Sequence, residues 1–184
     1  NTVTKEKTLA LVDSAKGTAM VAINLKSKDD LLITVKKDDY AFSSKVVSIK
    51  EASFENQPKP VNIEVSEAKE GSSFVLNNLY YNTNSADLKP ESFVVLESFA
   101  EYLKDNAGIK IEIQGHTDNV GAAKANEALS ANRAYTVKAY LEEKGVDGKR
   151  IWAKGYGPNK PIADNTTEEG KAKNRRTEFL IISK

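Results

Sequence analysis

Residues 109–121 read Ile-Lys-Ile-Glu-Ile-Gln-Gly-His-Thr-Asp-Asn-Val-Gly, a short stretch in which two patterns meet. Its first half alternates isoleucine with polar residues, which predicts a β-strand with one buried face. Its second half is polar and bounded by glycine, which predicts a loop. The next residues, from about Ala122 to Lys144, predict a long helix that ends at Gly145. Asp118 is therefore expected in a loop between the end of a strand and the start of a helix.

The sequence on both sides continues this alternation of strands and helices. Pro90 stands where a helix would begin, a position that proline favours. Besides the strand at 109–113 and the helix at 122–144, strands are predicted at 74–81, 151–156 and 175–182, and helices at 91–106 and 167–173. Their β-α-β-α-β-α-β order predicts an α+β domain, a layered α/β sandwich with helices packed on a mixed sheet. The aromatic residues expected in its core are Tyr80, Tyr81, Phe99 and Tyr102.

Before residue 71 the pattern changes to short runs rich in β-branched residues, separated by Lys, Asp, Ser, Pro and Gly. No stretch there has a helical period, and strands are predicted at 20–25, 32–35, 41–42, 46–49 and 61–65. Several short strands at this spacing predict a small all-β sandwich. We therefore expect two domains, at residues 1–70 and 71–184.

The composition limits the classes of function. The 184 residues carry 27 basic and 26 acidic side chains, a net charge of only +1 that is spread over both predicted domains. This balance argues against nucleic acid as a partner. The chain has no cysteine and one histidine, His116, which excludes a cysteine nucleophile, a disulfide framework and zinc sites that need thiolates or paired histidines. We predict neither a metal nor a cofactor.

No apolar run approaches the roughly 20 residues that span a bilayer. The chain begins at Asn1 rather than at methionine, so we expect a fragment of a longer protein. Any membrane attachment is then expected outside this chain.

The helix predicted at 122–144 carries an arginine where a core-facing stripe is expected. At about 100° per residue, one face holds Asn126, Ser130, Arg133, Val137 and Leu141. The C-terminal half of this face is apolar, whereas its N-terminal half is polar. A buried or half-buried guanidinium needs a partner because desolvating an unpaired charge is costly.

Asp118, in the preceding loop, is the candidate partner of Arg133. A carboxylate beside a guanidinium complements a zwitterion: Asp118 would accept from an ammonium group, and Arg133 would bind a carboxylate with its planar fork. From spacing alone a structural ion pair is the more common outcome for two such residues. Both interpretations, an ion pair and a ligand clamp, stay open at this point.

Two further groups have candidate roles. Arg175 and Arg176 open the last predicted strand, and neighbouring strand residues point to opposite faces, so at most one of them can join Asp118. Otherwise both are solvated charges at a strand end. His116 is expected to orient its loop or to fill space, because no serine or second histidine forms a nucleophile–base pair with it.

Several motifs of residues 74–184 occur in the order and spacing of one known family. They are Tyr81-Asn-Thr-Asn-Ser-Ala-Asp-Leu-Lys-Pro-Glu91, Ile113-Gln-Gly-His-Thr-Asp-Asn-Val-Gly121, Asn126-Glu-Ala-Leu-Ser-Ala-Asn-Arg-Ala134, Gly155-Tyr-Gly157, Pro161-Ile-Ala-Asp-Asn165 and Asn174-Arg-Arg-Thr-Glu178. This segment resembles the OmpA-like C-terminal peptidoglycan-binding domain. Tyr81-Asn82 departs from the Phe-Asp that many members have at the first motif.

The resemblance implies a non-catalytic domain that binds peptidoglycan on the periplasmic side of the outer membrane, in the cell envelope of a Gram-negative bacterium. Its ligand would be the meso-diaminopimelate of the stem peptide. The family's motifs imply that Asp118 contacts the ammonium and Arg133 the carboxylate of this residue. They also imply supporting contacts from Thr117, Asn126 and Arg176.

Two other functions stay open. In the first, the chain is a scaffold of an envelope assembly, such as a secretion machine or a motor. The N-terminal segment would then bind the partner proteins; around Val35-Lys-Lys-Asp-Asp-Tyr-Ala-Phe42 it resembles a carboxypeptidase-regulatory-like (transthyretin-like) β-sandwich. In the second, the chain is a peptidoglycan hydrolase with Asp118 as general base and His116 as the only nearby candidate to assist it.

Overall fold

The computed structural model describes residues 30–35, 39–47 and 62–184. The larger of two compact units combines residues 34–44 with 63–184. Of the smaller unit, the structure describes residues 30–33, 45–47 and 62. Within the described part of the chain, no helix combines the length and the apolarity that crossing a membrane requires.

Two strands lie near the N-terminus, β1 (Leu31–Val35) and β2 (Ser43–Val47), and they form a two-stranded sheet. They overlap two of the predicted strands. Residues 62–66 form no strand, although one was predicted there, and the strand predicted at 20–25 lies outside the described residues. The small β-sandwich stays a prediction.

Residues 39–44 precede residue 71, yet they pack within the larger unit. The Phe42 ring lies 5.1 Å from the Phe99 ring and 5.8 Å from the Tyr102 ring, centroid to centroid. The Tyr102 hydroxyl also donates a hydrogen bond to the Tyr40 carbonyl at 2.9 Å. The boundary predicted between residues 70 and 71 stays a prediction.

The larger unit follows the predicted β-α-β-α-β-α-β order, which confirms the fold class. Its elements are β3 (Ser73–Val75), α1 (Pro90–Asp105), β4 (Lys110–His116), α2 (Ala123–Glu143), β5 (Ile151–Gly157), α3 (Glu168–Asn174) and β6 (Thr177–Ser183). The sheet is mixed, with the order β3-β6-β4-β5; β4 and β5 are parallel, and β6 is antiparallel to both β3 and β4.

Strand β3 is shorter than the predicted strand at 74–81. The chain leaves it in a turn at Asn77 and Asn78, and Asn78 has a φ of 61°, a left-handed conformation that asparagine tolerates. Strand alternation therefore does not extend to the two tyrosines that follow. Tyr80 is 49% exposed, so the prediction that it belongs to the core is wrong.

The core lies between the sheet and the helices α1 and α2. Ile113 on β4 faces Phe179 on β6 in register, and the Phe179 ring packs 4.8 Å from the ring of Phe99 on α1. From α2, Val137 and Leu141 are fully buried, as the helical period predicted. Each such side chain stabilises the fold by about 1.5–3 kcal/mol relative to an exposed one.

Helix α2 lies directly on strands β4 and β5 because two glycines leave room for it. A Cβ atom added at Gly115 would overlap the backbone of Ser130, and one at Gly155 would overlap the backbone of Ala131. The Ser130 hydroxyl also accepts a hydrogen bond from the Gly157 backbone N–H at 2.9 Å. Backbone contact therefore fixes the N-terminal half of α2 against the strand ends.

Candidate functional site

Asp118 lies just beyond the end of β4 and is buried. Its Oδ1 accepts a hydrogen bond from the Val120 backbone N–H at 3.1 Å. Its Oδ2 accepts from Arg175 Nη1 at 2.6 Å, which forms an ion pair. The carboxylate is thus held from two sides and keeps lone pairs for a further donor.

Thr117 and Asn126 hold the loop around Asp118. Thr117 donates from Oγ1 to the Asp118 carbonyl at 2.8 Å and from its backbone N–H to the Gly157 carbonyl at 3.0 Å. Asn126 donates from Nδ2 to the Val120 carbonyl at 2.9 Å. Both predicted site residues therefore lie beside Asp118, with these hydrogen bonds directed to the backbone.

Arg133 lies half-buried on α2. Its Nε donates to the Ser85 carbonyl at 3.0 Å, and its guanidinium carbon lies 4.7 Å from the centroid of the Tyr81 ring. Burial lowers the pKa of Arg133, and Arg175 lowers it further, whereas Tyr81 and Asp118 act in the opposite direction. Within the described residues, the two terminal nitrogens of Arg133 make no hydrogen bond, so both are available to a carboxylate.

Tyr81 links the arginine to the sheet. Its hydroxyl shares a hydrogen bond with Thr177 Oγ1 at 2.9 Å, and Thr177 is the first residue of β6. Burial raises the pKa of Tyr81 to about 12, so the side chain is a neutral phenol. Its ring therefore presents a neutral π-face to the Arg133 cation.

The structure brings the Arg175 side chain to Asp118, whereas the Arg176 side chain contacts Glu178. The Arg176 side chain is only 6% exposed, and its Nε donates to Glu178 Oε1. Its terminal nitrogens donate to the Lys160 carbonyl at 3.1 Å and the Asn174 carbonyl at 3.4 Å. Of the two arginines, Arg175 is the one whose side chain contacts Asp118, and the ligand contact predicted for Arg176 stays a prediction.

His116 is fully buried and stacks on Tyr156, with ring centroids 5.5 Å apart. Its Nε2 lies 3.9 Å from Glu178 Oε2, and neither ring nitrogen makes a hydrogen bond within the described residues. Burial, aided by the charge of Arg176 and opposed by that of Glu178, lowers the pKa of His116 to about 4. The imidazole is therefore neutral near pH 7.

Sequence reasoning missed the supports of Arg133. Tyr81 stands in a motif, but its ring was assigned to the core, and Ser85 takes part through a backbone carbonyl that no residue pattern reveals. In the described part of the chain, no group of three or more His, Asp or Glu side chains could hold a metal ion.

Comparisons with known proteins agree with this fold. A family model described as the OmpA family matches residues 80–175. The probable lipoprotein YiaD of Escherichia coli (strain K12) is 39% identical over 64% of this chain and 55% of its own length. The peptidoglycan-binding protein ArfA of Mycobacterium bovis is 41% identical over 55% of this chain and 31% of its own.

Among solved structures, the peptidoglycan-associated lipoprotein of Burkholderia pseudomallei superposes with a TM-score of 0.52 and 32% identity. The match covers 56% of this chain and 87% of that chain. The chain thus spans about half the length, or less, of the curated relatives that it matches.

Proposed function

The chain belongs to the OmpA family, and from this premise we propose that it binds peptidoglycan without cleaving it and anchors an envelope protein to the cell wall. Two similar proteins carry peptidoglycan in their names, which supports the proposal. The proposed ligand is the meso-diaminopimelate of the stem peptide. Its side chain ends in an ammonium group and a carboxylate on one carbon.

The observation that carries the proposal is that Asp118 and Arg133 are both held in place and both keep hydrogen-bonding capacity for a ligand. The Asp118 carboxylate is buried, oriented by Val120 and Arg175, and still able to accept from an ammonium. The Arg133 guanidinium is oriented through Nε, and its terminal nitrogens make no hydrogen bond to any residue that the structure describes, which leaves them to a carboxylate. A planar carboxylate would bind them through two parallel hydrogen bonds.

The remaining residues act in support. Thr117 and Asn126 would keep the Asp118 loop in place through their backbone hydrogen bonds. Arg175, rather than Arg176, would hold the Asp118 carboxylate, because Arg176 is engaged by Glu178. A ligand contact from Arg176 would have to come from its terminal nitrogens, since its Nε is engaged by Glu178.

We further propose that this chain acts on the periplasmic side of the outer membrane of a Gram-negative bacterium. The N-terminal residues would meet partner proteins of the envelope. The hydrolase alternative gains no support from the site, since His116 lies against Glu178 rather than forming a pair with Asp118.

The first test is sedimentation with purified peptidoglycan sacculi. Asp118→Ala and Arg133→Ala are expected to weaken binding at least about ten-fold, since each removes a charge-assisted contact. Asn132→Ala is the matched control, because Asn132 is an exposed neighbour of Arg133 on α2. If both site variants stay folded by circular dichroism and still sediment like the wild type, the assignment is wrong.

The second test concerns the ligand. A stem peptide with meso-diaminopimelate is compared with the same peptide carrying lysine, each with the main-chain carboxyl of that residue in an amide bond. Lysine then keeps the side-chain ammonium and lacks the carboxylate, so weaker binding is expected. Equal affinity for both peptides would contradict the role of Arg133. Muropeptide release from sacculi during the same incubation would favour the hydrolase.

A further inference from the structure

We infer that Tyr81 is a positioning residue of this site: its ring holds the Arg133 guanidinium in the place where the ligand carboxylate meets it. The inference rests on the proposed function. It assigns to Tyr81 a specificity role that acts through Arg133, without contact between Tyr81 and the ligand.

The guanidinium of Arg133 is restrained on two sides. Its carbon lies 4.7 Å from the centroid of the Tyr81 ring, within the range of a cation–π contact. Its Nε donates to the Ser85 carbonyl at 3.0 Å. The ring restrains the guanidinium through its face, and the carbonyl restrains it through one edge. The two nitrogens that remain are those that a carboxylate needs.

Both restraints come from one short segment, which is itself held in place. Tyr81 pairs with Leu88 in a β-bridge, and the Asn82 backbone N–H donates to the Asp87 carbonyl at 2.9 Å. The Tyr81 hydroxyl bonds to Thr177 Oγ1 at 2.9 Å, which ties the segment to the first residue of β6. The ring therefore cannot move away from Arg133 without breaking contacts to the sheet.

The plain alternative is that Tyr81 only fills space. The neighbouring Tyr80 provides the comparison, because it is 49% exposed and its hydroxyl donates to Asn78 Oδ1 at 3.3 Å rather than to the sheet. If Tyr81 has a purely structural role, its substitution should weaken the binding of both peptides equally. If Tyr81 positions Arg133, its substitution should weaken the binding of the diaminopimelate peptide, because only that peptide has the side-chain carboxylate.

The experiment measures affinity for the diaminopimelate and lysine peptides by NMR titration, with three variants. Tyr81→Leu removes the ring, Tyr81→Phe keeps the ring and removes the hydroxyl, and Tyr80→Leu is the matched control. For Tyr81→Leu, we expect about five-fold weaker binding of the diaminopimelate peptide and little change for the lysine peptide, so that the preference falls. Tyr81→Phe is expected to stay within about two-fold of the wild type, and Tyr80→Leu to match it.

The outcomes separate the two proposals. If the wild type does not prefer the diaminopimelate peptide, the proposed contact of Arg133 with the ligand carboxylate fails, and the role of Tyr81 fails with it. If the wild type shows the preference and a folded Tyr81→Leu keeps it in full, only the role of Tyr81 is overturned.

A measurement on the wild type covers the case in which Tyr81→Leu does not fold. The ¹⁵N relaxation of Arg133 Nε without ligand is expected to give an order parameter near that of the rigid backbone. A freely moving guanidinium would overturn the inference.

Discussion

Two regions of the larger unit contain an arginine–carboxylate pair, and their arginines, Arg175 and Arg176, are neighbours in the chain. In the pair of Arg176 with Glu178, both side chains are almost inaccessible, at 6% and 12% exposure, and all three arginine nitrogens donate. In the pair of Arg175 with Asp118, the Arg175 side chain is 45% exposed. The same region contains Arg133, whose two terminal nitrogens have no partner in the described residues. An arginine whose three nitrogens all donate within the chain serves the fold, whereas one with free terminal nitrogens is available to a ligand.

The largest expected effect is on stability, and it tests the buried pair of Arg176 with Glu178. Arg176→Ala leaves Glu178 buried without its cation, which should lower the free energy of unfolding by about 3–5 kcal/mol. Arg175→Ala should lower it by less, because the Arg175 side chain is 45% exposed and water can take its place beside Asp118. Urea unfolding of both variants measures the difference. Similar losses in the two would contradict the distinction between the regions.

The second effect is the pH dependence of stability from His116, which faces Glu178, Arg176 and Lys160. Its pKa is about 4 in the folded chain and near 6.5 when unfolded, so the unfolded chain binds the proton first as the pH falls. The free energy of unfolding should therefore fall by up to about 1.4 kcal/mol per pH unit between about pH 6.5 and pH 4.

Since His116 is the only histidine, His116→Gln should remove this part of the slope and leave the contribution of the carboxyl groups. Urea unfolding of the variant and the wild type between pH 4 and pH 8 measures it. Parallel curves over that range would contradict a neutral, buried imidazole.

The third effect links the stability of the fold to ligand binding. Gly155→Ala places a methyl group against the α2 backbone at Ala131, which should cost about 1–3 kcal/mol of stability through overpacking. Because Arg133 follows two residues later, binding of the diaminopimelate peptide should weaken as well. Calorimetric titration and thermal unfolding of the same sample measure both losses. Reduced stability with unchanged affinity would show that Arg133 does not depend on the position of α2.

The smallest effect is on binding alone. Arg175→Ala removes one of the two donors that orient the Asp118 carboxylate. Affinity for the diaminopimelate peptide should fall, but by less than in Asp118→Ala, where about ten-fold or more is expected. Titration of the two variants under one buffer condition gives the order. A loss from Arg175→Ala as large as that from Asp118→Ala would mean that Arg175 contacts the ligand itself.

Much of this unit could be predicted from its periodicity. The element order followed from alternating and helical patterns, and Asp118 was expected at a strand end because polar residues and glycine follow the isoleucines. Arg133 was expected to be buried or half-buried because it interrupts a core stripe. These inferences needed only local sequence and the geometry of one element.

The choice between Arg175 and Arg176 could not be predicted in this way. Arg175 is the C-terminal cap of α3, and β6 begins only at Thr177, so strand alternation does not govern both residues. The contact of Arg133 with the Ser85 carbonyl joins residues 48 positions apart and depends on the fold as a whole. The exposure of Tyr80 followed from the early end of β3, which the apolar pattern did not signal.

The close approach of α2 to β4 and β5 has a consequence for the thermodynamics of recognition. Because backbone packs on backbone at Gly115 and Gly155, the separation between the helix that carries Arg133 and the loop that carries Asp118 is set when the domain folds. The conformational entropy of bringing the two charges together is then lost during folding and not on ligand binding. A site preorganised in this way associates at a rate governed by diffusion and orientation rather than by rearrangement.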